Sequence, residues 1–386
     1  MRFVLVGPAY PFRGGIAQYT SSLFRAMADR HEVSLITFSR QYPSHFFPGR
    51  TQRDESKSPF RVPHEPLFDS LSPSSWKRAG RRIAELSPDA VVFQWWQPFF
   101  APAYRGAIQE LRKHSDLPVF FLCHNLLAHD RTLVPGHKTC ERLLTRSVFK
   151  HVDGFLVHAN EMVGQLKEFS GNSQIRKIYH PLYNFYLEWD EMPAEVAEDD
   201  KLRLLFFGKI RKYKGLSLFL EALSHIKDKI PFKATIAGEF YVAPVPYRKA
   251  AERMGLSEHL TWRERYIPNE EVPGLFRRAD LVVLPYLEAT QSGVVPVAYQ
   301  FEVPVIASDV GGLSEVVLEG RTGYLVPIGD AEAIAERILK FYREKRKEEF
   351  QNNIREFRQR LSWKQVVDNV EDLVRAIHHG VSRVHE

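Results

Sequence analysis

Two lysines, Lys209 and Lys214, lie in the glycine-flanked loop 208–215. The apolar run before the loop, 202–207, predicts a buried strand, and residues 216–223 have the spacing of a helix. The N-terminus of a helix presents free N–H groups, so a strand–loop–helix turn of this kind favours anions such as phosphates. The loop therefore indicates either a phosphate site or a solvated basic turn.

A pair of glycines, Gly14 and Gly15, follows the first predicted strand, Arg2–Val6. A helical pattern over 16–28 comes next. Two adjacent glycines let the backbone approach a ligand closely or adopt a positive φ angle. The spacing lacks the Gly-x-Gly-x-x-Gly pattern of dinucleotide-binding turns. The pair thus predicts a turn that either contacts a ligand or is simply tight.

A histidine, His124, directly follows the predicted strand 118–123. At the carboxyl end of a strand, a histidine can donate to a sugar hydroxyl or act as an acid or base. The alternative is a structural histidine whose hydrogen bonds are satisfied internally. His129 and His137 follow, but no carboxylate completes a convincing metal-binding spacing. We therefore predict no metal site.

A third polar stretch, 285–295, follows the predicted strand 281–284. Ser292-Gly293-Val294 precedes a helix and offers backbone N–H groups to a phosphate. Glu288 supplies a carboxylate that could bind sugar hydroxyls. The alternative is that Ser292 caps the helix and Glu288 points into solvent.

Strands alternate with helices along most of the chain, which predicts an α/β fold with doubly wound parallel sheets. A chain of 386 residues exceeds the usual size of one hydrophobic core, so two domains are expected. We predict a first domain over 1–187, an acidic linker over 188–201 and a second domain over 202–361. A C-terminal helix, 362–386, would return to the first domain. Residues 41–70 are predicted as a long ordered loop, and 331–357 as strongly charged and helical.

The overall composition indicates an ordinary globular protein, with 44% hydrophobic and 26% charged residues. Its formal charge of +6 suits an anionic small substrate or an anionic membrane surface. The sequence lacks a block of basic residues with interleaved aromatic residues, so we do not predict nucleic-acid binding. The two cysteines predict a reducing cytoplasm. The first apolar run is too short for a signal peptide, and polar residues and prolines interrupt 90–104, so we predict no membrane span.

Taken in order, these motifs resemble the family-four retaining glycosyltransferases of the GT-B fold. The resemblance extends over nearly the whole chain. Its motifs are Arg13-Gly14-Gly15-Ile16-Ala17, His124-Asn125, Gly208-Lys209 with Lys214-Gly215, Ala237-Gly238-Glu239, and the stretches 285–293, 303–315 and 320–326.

The resemblance implies two Rossmann-like domains facing across a cleft, the second binding a nucleotide-sugar and the first an acceptor. Lys209, where arginine is commoner in the family, and Lys214 would neutralise the departing diphosphate without a metal or other cofactor. The implied catalytic residues are His124, Lys209, Lys214 and Glu288. The implied donor-binding residues are Gly14, Gly15, Gly208, Lys209, Lys214, Gly238, Thr290, Gln291, Ser292, Gly293 and Val294, and the implied acceptor-binding residues are Arg13, Asn125 and His129.

One departure from the family concerns its two glutamates. Aligned on Val303-Pro304, they fall at Ala289 and Val297, so Glu288 takes the first role only if the register shifts by one residue. The family's ribose-binding carboxylate has no counterpart. We expect a cytoplasmic retaining hexosyltransferase acting on a glycolipid, polysaccharide or other sugar acceptor. A basic helix over 76–86 would contact the inner face of an anionic membrane. The alternatives are a catalytically silent nucleotide-sugar-binding protein or another GT-B enzyme, such as a sugar-nucleotide epimerase or a phosphorylase.

Overall fold

The computed structural model describes residues 1–43, 49–127, 137–171, 173–190 and 200–382. The chain divides into two compact units. Unit 1 consists of Met1–Asp54, Phe60–Tyr179 and Trp363–Glu386, and unit 2 consists of Glu55–Pro59 and His180–Ser362. Most of the predicted linker, 188–201, lies outside the described residues.

Unit 1 contains a seven-stranded sheet within the described residues. All of its paired strands are parallel, and their order is β3-β2-β1-β4-β5-β6-β7. The strands are β1 (Arg2–Val6), β2 (Glu32–Arg40), β3 (Glu65–Asp69), β4 (Ala90–Trp95), β5 (Val119–Cys123), β6 (Gly154–Val157) and β7 (Gln174–Lys177). From β1 the chain adds β2 and β3 on one side of the sheet, and it then adds β4 to β7 on the other side. The strand order therefore reverses between β1 and β4.

Unit 2 repeats this plan with six strands within the described residues, in the order β10-β9-β8-β11-β12-β13. Its strands are also parallel, and the order reverses between β8 and β11. They are β8 (Leu202–Phe207), β9 (Phe232–Ala237), β10 (Leu260–Arg263), β11 (Leu281–Leu284), β12 (Val305–Ser308) and β13 (Gly323–Val326). The predicted class, two doubly wound parallel α/β sheets, is confirmed.

Helices connect the strands in both units. In unit 1 and then unit 2 they are α1 (Gly15–Ala28), α2 (Pro73–Glu85), α3 (Ala101–Leu111), α4 (His137–Phe149), α5 (Asn160–Leu166), α6 (Leu216–Ile226), α7 (Val245–Arg253), α8 (Val272–Arg277), α9 (Val294–Gln300), α10 (Ala331–Glu344) and α11 (Lys347–Phe357), and α12 (Trp363–Ser382) follows in unit 1. Among the described residues, no helix is long and apolar enough to cross a bilayer.

The first strand shows why both faces of the unit 1 sheet must be covered. Phe3 and Leu5 belong to one buried cluster, whereas Val4 and Val6 belong to another on the opposite face. Successive side chains of a strand point to opposite faces, so an unbroken apolar run is typical of a sheet with helices on both sides. α12 covers part of the first face, where Trp363 packs edge-on against Tyr19.

The prediction of a continuous loop over residues 41–70 is wrong, because Glu65–Asp69 forms strand β3 within it. This strand contains Pro66, which argues against a central strand, but β3 lies at the edge of the sheet, where proline is tolerated. The edge strands β10 and β13 were not predicted either.

The charged run 331–357 is helical as predicted, and it forms two helices, α10 and α11. The break occurs at Lys345, which has a φ of 51° and adopts the left-handed conformation at the end of α10. A left-handed residue cannot continue a right-handed helix.

Candidate functional site

The carboxyl edge of the unit 2 sheet brings together the loops that follow β8 and β11, on either side of the reversal in strand order. In open α/β sheets, ligands bind at this point. Gly215 allows the two loops to touch, because it has a φ of 71° and a Cβ there would lie 1.8 Å from the carbonyl oxygen of Pro285. The backbone N–H of Leu287 donates to the oxygen of Tyr213 at 2.7 Å, which fixes the same contact.

Lys214 lies in this junction, half-buried above an aromatic ring. Its Nζ is 3.7 Å from the centroid of Tyr286, a cation–π contact. Within the described residues, the ammonium group forms no ion pair and donates no hydrogen bond. Loss of hydration is the main reason that its pKa falls to about 8. Such a cation would be strongly stabilised by an anionic ligand.

Tyr286 connects Lys214 to the loop that precedes α9. Its hydroxyl lies 3.2 Å from Oγ of Ser292, and this Oγ accepts the backbone N–H of Val294 at 3.2 Å. Burial raises the pKa of Tyr286, so the phenol stays neutral. Ser292 therefore occupies the N–H of Val294, although the N-cap position of α9 is Gly293 and no side chain caps the helix from there. The backbone N–H groups of Ser292 and Gly293, in contrast, donate no hydrogen bond within the described residues.

Gly293 rests on a buried pair, Tyr183 and His180, that sequence reasoning missed. A Cβ at Gly293 would lie 3.1 Å from Oη of Tyr183. Tyr183 donates to Nε2 of His180 at 3.3 Å, while Nδ1 of His180 donates to the oxygen of Pro181 at 2.9 Å. Burial lowers the pKa of His180 to about 4, so its ring is neutral near pH 7. This pair packs against the loop that precedes α9.

Lys209, the other predicted lysine, is exposed and lies over a different ring. Its Nζ is 5.5 Å from the centroid of Tyr241, and the guanidinium carbon of Arg211 is 4.7 Å from the same centroid. Gly208 and Gly238 bring the loops after β8 and β9 together, since a Cβ at Gly238 would lie 1.8 Å from the oxygen of Gly208. Two basic residues of the loop after β8 thus lie near the ring of Tyr241.

The remaining predicted donor-site residues of unit 2 occupy the loop between β11 and α9. Glu288 and Thr290 are half-buried, and the oxygen of Thr290 accepts the N–H of Gly312 at 2.8 Å. Oε1 of Gln291 is buried and accepts no hydrogen bond within the described residues. Val297, at the position of the family's second glutamate, is 4% exposed within α9. No carboxylate therefore takes that position.

In unit 1, His124 lies directly after the carboxyl end of β5 and is 4% exposed. Its Nε2 lies 2.8 Å from Oε1 of Gln94, on the neighbouring strand β4. A carbonyl oxygen only accepts, so Nε2 carries the hydrogen in this pair. Nε2 of Gln94 is buried and donates no hydrogen bond within the described residues. A Cβ at Gly7, after β1, would lie only 2.5 Å from Cγ of Gln94, so Gly7 makes room for this amide.

Aromatic rings hold His124 from two further sides. Tyr19 meets it edge-on, with ring centroids 4.7 Å apart, and His158 lies 5.6 Å away. Sequence reasoning missed Gln94, Tyr19 and His158. The available signal was Gln94 itself, the polar residue near the end of an otherwise apolar buried strand.

The predicted residues of unit 1 divide into two donor-binding glycines and three acceptor-binding residues. Of the donor-binding pair, Gly14, with a φ of 107°, precedes α1, and Gly15 is the exposed first residue of that helix. The backbone N–H of Arg13 donates to the oxygen of Gln52 at 3.0 Å. Asn125 is half-buried beside His124. His129 lies outside the described residues.

The described residues contain no group of three His, Cys, Asp or Glu side chains that could hold a metal ion. His129 is not among them, so the prediction of no metal site stays a prediction. The groups suited to a diphosphate are the Lys214 ammonium, the exposed Lys209 and the N–H groups of Ser292 and Gly293. Cations and N–H donors aimed at one place stabilise negative charge as it develops on a leaving group.

Comparison with known proteins gives two adjoining family matches. A profile described as "Glycosyltransferase Family 4" matches residues 13–182, and one described as "Glycosyl transferases group 1" matches residues 201–344. The D-inositol 3-phosphate glycosyltransferase of Paenarthrobacter aurescens is 33% identical over 131 residues, which are 33% of this chain and 32% of that protein. The chain spans about a third to a half of the length of the curated relatives it matches.

Solved structures show the same fold along almost the whole chain. Sucrose-phosphate synthase from Thermosynechococcus elongatus superposes with a TM-score of 0.70 at 18% identity, over 98% of this chain and 100% of that one. HepE from Anabaena in complex with UDP superposes with a TM-score of 0.72 at 15% identity, over 97% and 100%. The two profiles together account for most of the sequence, and the chain belongs to the family-four, group 1 glycosyltransferases of the GT-B fold.

Proposed function

We propose that this protein is a retaining glycosyltransferase that moves a hexose from a nucleotide-sugar to a sugar acceptor. The observation that carries the proposal is Lys214, a half-buried ammonium without an anionic partner among the described residues. It lies where the strand order of unit 2 reverses, between the loops after β8 and β11. A nucleoside diphosphate supplies the charge that this position lacks.

In the proposed reaction, the bond between the anomeric carbon and the diphosphate oxygen breaks as the acceptor oxygen bonds to the same face of that carbon. The acceptor proton passes to a phosphate oxygen, and the nucleoside diphosphate leaves. Lys214, Lys209 and the N–H groups of Ser292 and Gly293 stabilise the charge on the leaving group without a metal ion. Family membership supports retention of configuration, and the UDP complex of HepE, a relative in fold, supports a nucleotide donor.

The proposed acceptor is a glycolipid or polysaccharide, bound by unit 1. His124, which Gln94 holds, is the proposed catalytic residue of this unit. A peripheral contact with an anionic membrane is part of the proposal, because Lys77, Arg78 and Arg81 are exposed on α2. The proposed location is the cytoplasmic face of that membrane.

Thermal unfolding with UDP, GDP and ADP tests the donor site, in buffer containing a chelator. A ligand that binds only the native state raises the midpoint by mass action. We expect one nucleotide to stabilise the wild type and to lose this effect in Lys214→Ala. Lys212→Ala is the matched control, since Lys212 is an exposed lysine in the same turn. A shift that Lys214→Ala retains in full would remove the main support for the proposal.

A catalytically silent nucleotide-sugar-binding protein is the second candidate, and the buried Val297 favours it. It predicts nucleotide stabilisation without turnover. Incubation of each UDP-, GDP- and ADP-sugar with and without a mixture of glycan acceptors separates the possibilities. A transferase consumes donor in proportion to glycosylated product, an epimerase changes the donor without an acceptor, and a silent protein leaves the donor intact.

A further inference from the structure

We propose that the stacked rings of Tyr42 and Phe99, in unit 1, form a platform that binds a pyranose ring of the acceptor. The inference rests on the proposed function and names a site for its acceptor. Tyr42 follows β2, and Phe99 follows β4. Their ring centroids are 5.5 Å apart at an interplanar angle of 28°.

Tyr42 is held by hydrogen bonds at its backbone and at its hydroxyl group. Its backbone N–H donates to Oε1 of Gln52 at 3.1 Å, and Nε2 of Gln52 donates back to its oxygen at 3.0 Å. Its hydroxyl oxygen accepts from Nε1 of Trp96 at 2.9 Å and from Nε2 of Gln97. A ring fixed in this way can support a ligand without losing further conformational freedom.

Phe99, the other ring of the platform, is 39% exposed although it is a large apolar side chain. Its neighbours Trp96 and Phe100 are buried. Phe99 contacts Phe100 edge-on at 5.0 Å and Tyr42 by stacking, and these are its ring contacts within the described residues. One ring therefore projects from a well-packed aromatic cluster while its support is rigid.

The place of the platform in the fold favours a ligand. β2 and β4 lie on either side of β1, next to the reversal in strand order, and both rings follow the carboxyl ends of these strands. Ligands of open α/β sheets bind at this edge. His124 follows the carboxyl end of β5, which pairs with β4. Residues 44–48 lie outside the described residues and are not part of the platform.

The chemistry of the platform fits a sugar. One face of a pyranose carries C–H groups with partial positive charge, and these pack on the electron-rich face of an aromatic ring. Hydroxyl groups at the rim of the sugar need polar partners. The half-exposed Gln97 provides one, because its Oε1 accepts no hydrogen bond within the described residues.

Saturation-transfer NMR on the full chain tests the platform with methyl β-D-glucopyranoside and methyl β-D-galactopyranoside as probes. Saturating the aromatic protons of the protein should transfer magnetisation to H1, H3 and H5, which share one face of the glucoside. We expect Phe99→Ala to weaken binding about tenfold and Phe99→Trp to preserve it. Leu143→Ala, which truncates an exposed apolar residue of α4, should have no effect.

The proposal is overturned if neither glycoside receives saturation from the wild type, or if Phe99→Ala binds as the wild type does. It is also overturned if Phe99→Ala reduces flotation with phosphatidylglycerol vesicles but leaves glycoside binding intact, because the ring then contacts lipid. Thermal shifts with UDP, GDP and ADP on the same variants separate this proposal from the proposed function. If a nucleotide binds but glycoside binding does not depend on Phe99, the platform alone is rejected. If glycoside binding depends on Phe99 but no nucleotide binds, the donor assignment is rejected.

Discussion

His124 and Gln94 form a buried pair across strands β5 and β4, with 2.8 Å between Nε2 of the imidazole and Oε1 of the amide. The amide oxygen fixes which imidazole nitrogen carries hydrogen and which way the ring faces. In the proposed reaction, Gln94 is a positioning residue for His124.

The first prediction follows from this pair. Gln94→Leu should lower kcat about tenfold or more while KM for the donor changes little, because the imidazole loses its orientation but the phosphate site is intact. Steady-state kinetics measure both constants. Gln94→Glu, which keeps an oxygen acceptor, should recover activity at a different pH optimum. An equal loss in both variants with no change in the pH profile would assign Gln94 a purely structural role.

The second prediction concerns pH and Lys214. Its pKa of about 8 means that the free enzyme loses this charge as pH rises through that value. We therefore expect kcat/KM for the donor to fall above about pH 8, whereas kcat falls at higher pH because the bound diphosphate favours the protonated amine. Lys214→Ala should lower kcat/KM about a hundredfold or more. Lys214→Arg should keep a flat profile through this range if its activity survives, since arginine does not lose its proton.

The third prediction concerns stability and His180. Its folded pKa of about 4 lies below the ordinary value of 6.5, so the unfolded chain binds the proton first as pH falls. Stability is present above pH 6.5 and is lost as pH falls toward 4. Between about pH 7 and about pH 5 the loss should be about 2 kcal/mol.

Urea unfolding at both pH values measures this loss. His180→Gln should remove about that much of the pH dependence, and His225→Gln, at an exposed histidine of α6, should leave it unchanged. An identical pH dependence in the wild type and His180→Gln would contradict the buried neutral state of His180.

The sequence predicted the parallel sheets and the loops of the unit 2 site because apolar runs and glycine-flanked turns are local patterns. Lys214 could be found in this way. Its contact with Tyr286 could not, because it depends on two strands becoming neighbours through a crossover. The same is true of Gln94, which meets His124 only when β4 pairs with β5. Sequence patterns thus located the chemical groups, but the residues that orient them come from strand order.

The fourth prediction concerns Gly215. Gly215→Ala should destabilise the protein by about 3 kcal/mol or more, because the new methyl group meets the oxygen of Pro285 in addition to the left-handed strain. Gly320→Ala is a matched control, with a φ of 68° and open space around the added methyl, and should cost only about 1 kcal/mol. Chemical unfolding gives both values, and equal losses would show that the contact between the two loops is not tight.

The fifth prediction concerns the basic helix α2. Lys77 and Arg78 are exposed and form no ion pair within the described residues, whereas Arg82 pairs with Glu65 at 2.9 Å. Each free cation near an anionic surface contributes about 1 kcal/mol, so the double variant Lys77→Ala/Arg78→Ala should bind phosphatidylglycerol vesicles about thirtyfold more weakly. Flotation at low salt measures this, and the charge-matched control is Lys249→Ala/Arg253→Ala on α7, where both residues are exposed. If both double variants lose binding equally, the attraction comes from the net charge of the chain and α2 is not a membrane contact.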